Sequence, residues 1–194
     1  MKKSKTLKTA QLALLVAILL VMAYTPLGYL RTFGLEISFL MIPVTIGAVV
    51  LGPVGGAILG LIFGITSFIT CFGSSAFGAM LLSINPVFTF ITCVVTRLLA
   101  GFVAGVIFKA VKKLKLSYEI SCLAGPLLNT LFFMGSLVLF FYNTEFIQGI
   151  ATSLGVANPF TFVVAFVGIQ GMVEAVACFV IATIVSKNVA KFSK

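Results

Sequence analysis

Six apolar runs, at roughly 9–24, 35–50, 54–70, 84–108, 118–141 and 159–186, occupy most of this chain of 194 residues. Each is near the ~20 residues that a helix needs to cross the hydrocarbon core of a bilayer. Inside lipid, every backbone N–H and C=O has to be satisfied within the protein, and a helix does this segment by segment. The charge content agrees. Charged residues make up 9% of the chain and hydrophobic ones 61%, whereas a soluble domain carries about 25% charged residues. Such a chain cannot cover a folded surface in water. The expectation is an all-α integral membrane protein, one domain over residues 1–194 with six transmembrane helices at the runs given above.

The net charge of +9 invites a nucleic-acid reading, which its placement refutes. Four lysines lie in KKSKTLK (2–8), four in KAVKKLK (109–115) and three in the tail SKNVAKFSK; Arg31 and Arg97 are the remaining two cations. Basic clusters at the ends of apolar segments mark the cytoplasmic side of membrane proteins. The N-terminal tail and 109–115 are therefore both expected inside, with an even number of spans between them. The run 35–70 must then be two helices. LGPVGG (51–56) supports the split, since Gly52-Pro53 makes a turn and Pro53 opens a new helix. The basic C-terminal tail requires two further spans, so both termini are cytoplasmic. A signal peptide cleaved after Ala23 is the competing reading of the first run. It would leave five spans and no inner anchor at the new N-terminus. Outer connections are expected at 25–34, 71–83 and 142–158, with Glu36 at the rim of the second helix.

Several motifs bear on packing. Gly52, Gly56, Gly60 and Gly64 recur every four residues and line up on a helix as a groove for a second backbone. GFVAG (101–105) repeats the pattern farther along. In the first helix Ala13 and Ala17 are four apart, which serves either internal packing or the docking of another membrane protein. Chemistry is sparse. Histidine and aspartate are absent, and Cys71, Cys93, Cys122 and Cys178 form no CxxC pair. A metal site, a cofactor site and a catalytic triad are accordingly not expected, nor is a nucleotide-binding GxxxxGK[ST] loop.

What remains is a small set of polar groups at membrane depth, headed by an arginine in the middle of FITCVVTRLLAGFVAGVIF (90–108). Ionisable residues in such positions face a partner or an aqueous site and mark ligand pathways. Arg97 is accompanied on its helix by Asn85, Thr89, Thr92 and Thr96. Asn129 lies in the fifth run, and Gln170 and Glu174, four apart and on one helix face, lie in the sixth. Side chains tilt toward the N-terminus of a helix, so Arg97, Gln170 and Glu174 lean toward the outer side. Phe88, Phe90, Phe132, Phe133, Phe162 and Phe166 are available as apolar walls. Arg97 pairs with Glu174 as a helix-to-helix stitch, meets a ligand carboxylate, or does both, since an arginine paired with a glutamate keeps a free edge for a ligand.

LEISFLMIPVTIGAVVLGPVGGAILGLIFGITSFITCFG (35–73) and LLSINPVFTFITCVVTRLLAGFVAGVIFKAVKK (81–113), with ALLVA in the first helix, resemble the substrate-binding membrane subunits (S-components) of energy-coupling factor transporters. Within that family they look most like the pantothenate-type branch. The resemblance implies capture of a vitamin from outside and docking on a coupling module of one transmembrane protein and two ATPase subunits, whose ATP hydrolysis drives delivery inward. It places Ala13 and Ala17 at the docking positions. It further implies that Arg97 meets the pantothenate carboxylate, that Asn129 and Gln170 meet the amide or hydroxyls, and that phenylalanines such as Phe133 meet the methyl groups, with Asn85 and Glu174 in the same site. Two other classes stay open on the residues alone: a stand-alone secondary transporter that couples to protons through Glu174, and a ligand-free membrane scaffold.

Overall fold

The computed structural model describes residues 5–26, 28–31 and 36–192. In chain order these form α1 (Lys5–Ala23), β1 (Tyr29–Arg31), β2 (Glu36–Ser38), α2 (Met41–Val50), α3 (Pro53–Thr70), α4 (Ala76–Ile84), α5 (Pro86–Phe90), a π-helical turn (Ile91–Val95), α6 (Thr96–Val111), α7 (Ser117–Phe141), α8 (Glu145–Ser153) and α9 (Pro159–Phe192). From Pro86 to Val111 the chain is one continuous helical rod. Among the described residues five helices are long and apolar enough to cross a membrane: α1, α3, the Pro86–Val111 rod, α7 and Gly171–Val189 of α9.

The second run differs most from the expected helix at 35–50. Its first part pairs instead as an antiparallel ribbon, with Tyr29 opposite Ser38 and Arg31 opposite Glu36, so the fold is not purely helical. Residues 27 and 32–34 of the connection at 25–34, and residue 35 of this run, lie outside the described residues. The helix proper, α2, has only ten residues and rises about 15 Å. It is apolar all round because it is enclosed all round: every residue from Met41 to Val49 is buried, against α1, α3, α6, α7 and α9. Close approach is built in. A Cβ on Gly125 of α7 would sit 2.3 Å from Thr45 Oγ1 of α2.

At the end of α2 the chain reverses through Gly52, whose φ of 86° suits a residue without a side chain, and Pro53 opens α3. The glycine ridge of α3 then lies directly on α6. A Cβ on Gly60 would be 2.3 Å from the Arg97 carbonyl oxygen, one on Gly56 would be 2.3 Å from that of Gly101, and one on Gly64 would be 2.6 Å from Val94 Cα. The two small-residue motifs thus face each other, backbone to backbone.

Two of the expected outer connections contain helices. Ser75 caps α4 by accepting from Gly78 N–H at 3.2 Å, and Thr144 caps α8 by accepting from Ile147 N–H at 3.4 Å. Leu81 of α4 and Ile147 and Ala151 of α8 pack with Met134, Leu137, Phe141 and Phe162 into an apolar cluster separate from the main core. The sixth run is also interrupted. At Gly168 (φ 36°, ψ −133°) α9 bends out of helical geometry, leaving a short upper arm from Pro159 and a longer lower arm. At the far end of that lower arm Lys187 forms an ion pair with Glu119 in the first turn of α7.

Candidate functional site: a buried arginine between two aromatic rings

Arg97 is the second residue of α6, just past the π-helical turn. A π-turn widens the backbone by one residue and leaves carbonyls out of the usual ladder. Arg97 uses them: Nη1 donates to Cys93 O at 2.9 Å and to Thr92 O at 3.3 Å. The guanidinium carbon lies 4.7 Å from the Phe63 ring centroid and 5.1 Å from that of Phe133, within the range of cation–π attraction. The side chain is only 8% exposed. Two carbonyls and two ring faces therefore stand in for the hydration that a buried cation loses, while Nε has no partner.

No ion pair joins Arg97 to Glu174, so the stitch, one of the two readings of Arg97, is not formed in this structure. The charge of Arg97 reaches the Glu174 carboxylate. Glu174 Oε1 nonetheless has no hydrogen-bond partner. Asn129 lies one turn before Phe133 on α7, on the same face. It is buried, and its Oδ1 has no partner either. Thr92 adds an unpartnered buried hydroxyl beside the carbonyls that hold Arg97. Buried polar atoms cost about 1–3 kcal/mol each when unsatisfied, and here a cation, a carboxylate, an amide and a hydroxyl all retain unused capacity.

The remaining expected site residues fall elsewhere. Asn85 is a half-buried helix cap: its Oδ1 accepts from Val87 N–H at 3.0 Å and Phe88 N–H at 3.1 Å. It stands twelve residues before Arg97 on the rod, about 18 Å along the axis. Gln170 is on α9 just past the bend, and its side chain lies outside the described residues. Phe162 and Phe166 stack on one another at 5.1 Å within the second apolar cluster, and Phe88 stacks on Phe140 at 4.6 Å. Of the expected aromatic walls, Phe133 is the one that touches Arg97. Phe63 was not among them. It lies between Gly60 and Gly64, so setting the two glycine motifs against each other would have turned it toward Arg97.

Ala13 and Ala17 are exposed on α1, which packs inward through Leu15 and Leu19 on its other side. Leu14, at 62% exposed, and Val21, at 60%, continue the open surface. The alanine pair therefore does not serve packing within the chain.

Comparison with known proteins adds two findings. The family model for the ECF transporter, substrate-specific component, matches residues 8–186. A relative, the pantothenic acid transporter PanT of Lactococcus lactis subsp. cremoris (strain MG1363), is 30% identical over 155 residues, covering 74% of this chain and 79% of that protein.

Proposed function

Because the chain belongs to the ECF transporter substrate-specific components, as a multi-pass protein of a prokaryotic cell membrane, we propose that it binds pantothenate at Arg97 and passes it inward when docked on an ATP-driven coupling module. The observation that carries this reading is the state of Arg97: buried, held by two backbone carbonyls and two rings, and without an ion pair to any carboxylate among the described residues. A guanidinium so placed keeps donors for a ligand carboxylate and cannot lose its charge. The PanT relative supports pantothenate as that ligand. Its carboxylate meets Arg97, its amide and hydroxyls meet Asn129 and Gln170, Phe133 and Phe63 cover its methyl groups, and Glu174 lies in the same site. α1 presents Ala13 and Ala17 to a transmembrane coupling protein, and two ATPase subunits on that protein supply the energy.

In this reading α2 and its ribbon count as a sixth membrane layer, and the Lys109–Lys115 cluster and both termini face the cytoplasm. Native mass spectrometry of the detergent-purified chain with a panel of vitamins, alongside Arg97→Ala, tests it. A one-to-one complex with pantothenate that the variant loses supports the site. Retention of a different vitamin keeps the subunit and discards the substrate. A second reading, proton-coupled transport by this chain alone, draws on the unpaired Glu174. It requires uptake by the isolated chain in vesicles that collapses with the proton gradient.

A further inference from the structure

Two of the four thiols meet where α3 ends against the π-turn. Cys71 is the C-cap of α3 and Cys93 lies inside the turn. Their sulfurs are 3.9 Å apart, and both side chains are reduced. The Cys71 thiol also donates to Ser67 O at 3.4 Å. A sulfur–sulfur bond measures about 2.05 Å, so closure asks for a shift of just under about 2 Å, shared by two side chains. Cys71 ends its helix, and Cys93 sits in a π-turn instead of regular α-helix. Although Cys71 is 3% and Cys93 4% exposed, the turn that follows Cys71 (Phe72, Gly73, Ser74) is exposed and gives a small reagent its approach. Cys122 and Cys178 are buried elsewhere, on α7 and α9, with Cys178 against Thr45 at 3.8 Å.

We propose that Cys71 and Cys93 form a reversible disulfide by exchange with a low-molecular-weight disulfide, and that closing it displaces Arg97. One protein thiolate attacks a sulfur of the small disulfide, which gives a mixed disulfide and releases one small thiolate. The second protein thiolate attacks the protein sulfur of that mixed disulfide and releases the other small thiolate. The protein gives up two protons and two electrons, and the reagent leaves as two thiols. The coupling follows from the backbone: the Cys93 carbonyl is the closer of the two acceptors that hold Arg97 Nη1, so a pull on Cys93 moves its anchor. This coupling rests on the anion-binding reading of Arg97, whereas the cross-link does not.

The full chain in detergent is incubated with oxidised glutathione, and its thiols are counted by alkylation after denaturation. The expected result is loss of two thiols, an intact mass lower by two hydrogens, a linked peptide pair containing Cys71 and Cys93, and recovery with reductant. Glutathione adducts on separate cysteines, a link between Cys122 and Cys178, or no reaction on prolonged exposure would each overturn the site. Pantothenate titration of the cross-linked chain then reads the coupling, with a several-fold loss of affinity expected. Unchanged affinity in cross-linked protein overturns the coupling alone. Failure of the reduced chain to bind pantothenate counts against the ligand assignment and leaves the cross-link standing.

Discussion

Arg97 and Glu174 share the interior of the protein and act on one another electrostatically, yet no ion pair joins them. Arg97 is held by backbone instead, through the carbonyls of Thr92 and Cys93, and Glu174 Oε1 has no hydrogen-bond partner. A closed pair would take up one edge of the guanidinium and leave only the other for a ligand. The open arrangement keeps both available, and the first two expectations below turn on it.

Arg97→Ala is expected to weaken pantothenate binding by about tenfold or more, corresponding to about 1.4 kcal/mol, with the helices intact. Arg97→Lys keeps the charge but not the planar fork, and is expected to fall between the two. Calorimetric titration of the three proteins, with circular dichroism as the fold control, checks the order.

Glu174→Gln removes a negative charge near an anionic ligand while keeping the side chain's shape. If the ligand carboxylate sits at Arg97, affinity rises severalfold, since the like charge no longer opposes it. A large loss in the same titration would instead assign the Glu174 carboxylate to a hydroxyl or amide of the ligand.

Gly60→Val is expected to destabilise the fold by about 1–3 kcal/mol, the range for overpacking, because its Cβ would meet the Arg97 carbonyl and the adjoining backbone of α6. Gly135→Ala on α7, where nothing lies within 4 Å of the added carbon, is expected to stabilise by roughly 0.5–1 kcal/mol. Thermal unfolding in detergent compares the two signs directly.

Ala17→Trp on the exposed side of α1 is expected to leave folding and vitamin binding unchanged and to abolish co-purification with the coupling module. Vitamin binding lost together with co-purification would mean that the α1 surface is part of the fold, not a docking face.

Legibility in the sequence followed the length of the signal. Runs of twenty apolar residues announce spanning helices, and four glycines at a spacing of four announce a helix that packs closely; α3 carries both. Arg97 stood out because it is a charge in an apolar rod. Short elements were masked. SINPVF (83–88) carries a cap signal, Asn85 before Pro86 at the first helical position, yet its place in an apolar run made Asn85 look like a site residue. Thr144-Glu145 announces α8 in the same way. The ribbon of β1 and β2 depends on pairing between segments, which no local pattern specifies. The bend at Gly168 depends on a backbone conformation that glycine permits without requiring it. The anchors of Arg97 were illegible for a further reason, since main-chain carbonyls of a π-turn carry no residue identity.

The enclosure of α2 constrains how the polypeptide is made. A helix of ten residues reaches about halfway through a bilayer, and its ends would strand backbone groups in lipid if it were released there alone. The insertion machinery cannot therefore leave it in hydrocarbon as a finished unit. Its neighbours α6, α7 and α9 emerge later from the ribosome, so the centre of this protein is the last part to be settled, after the C-terminal third has been synthesised.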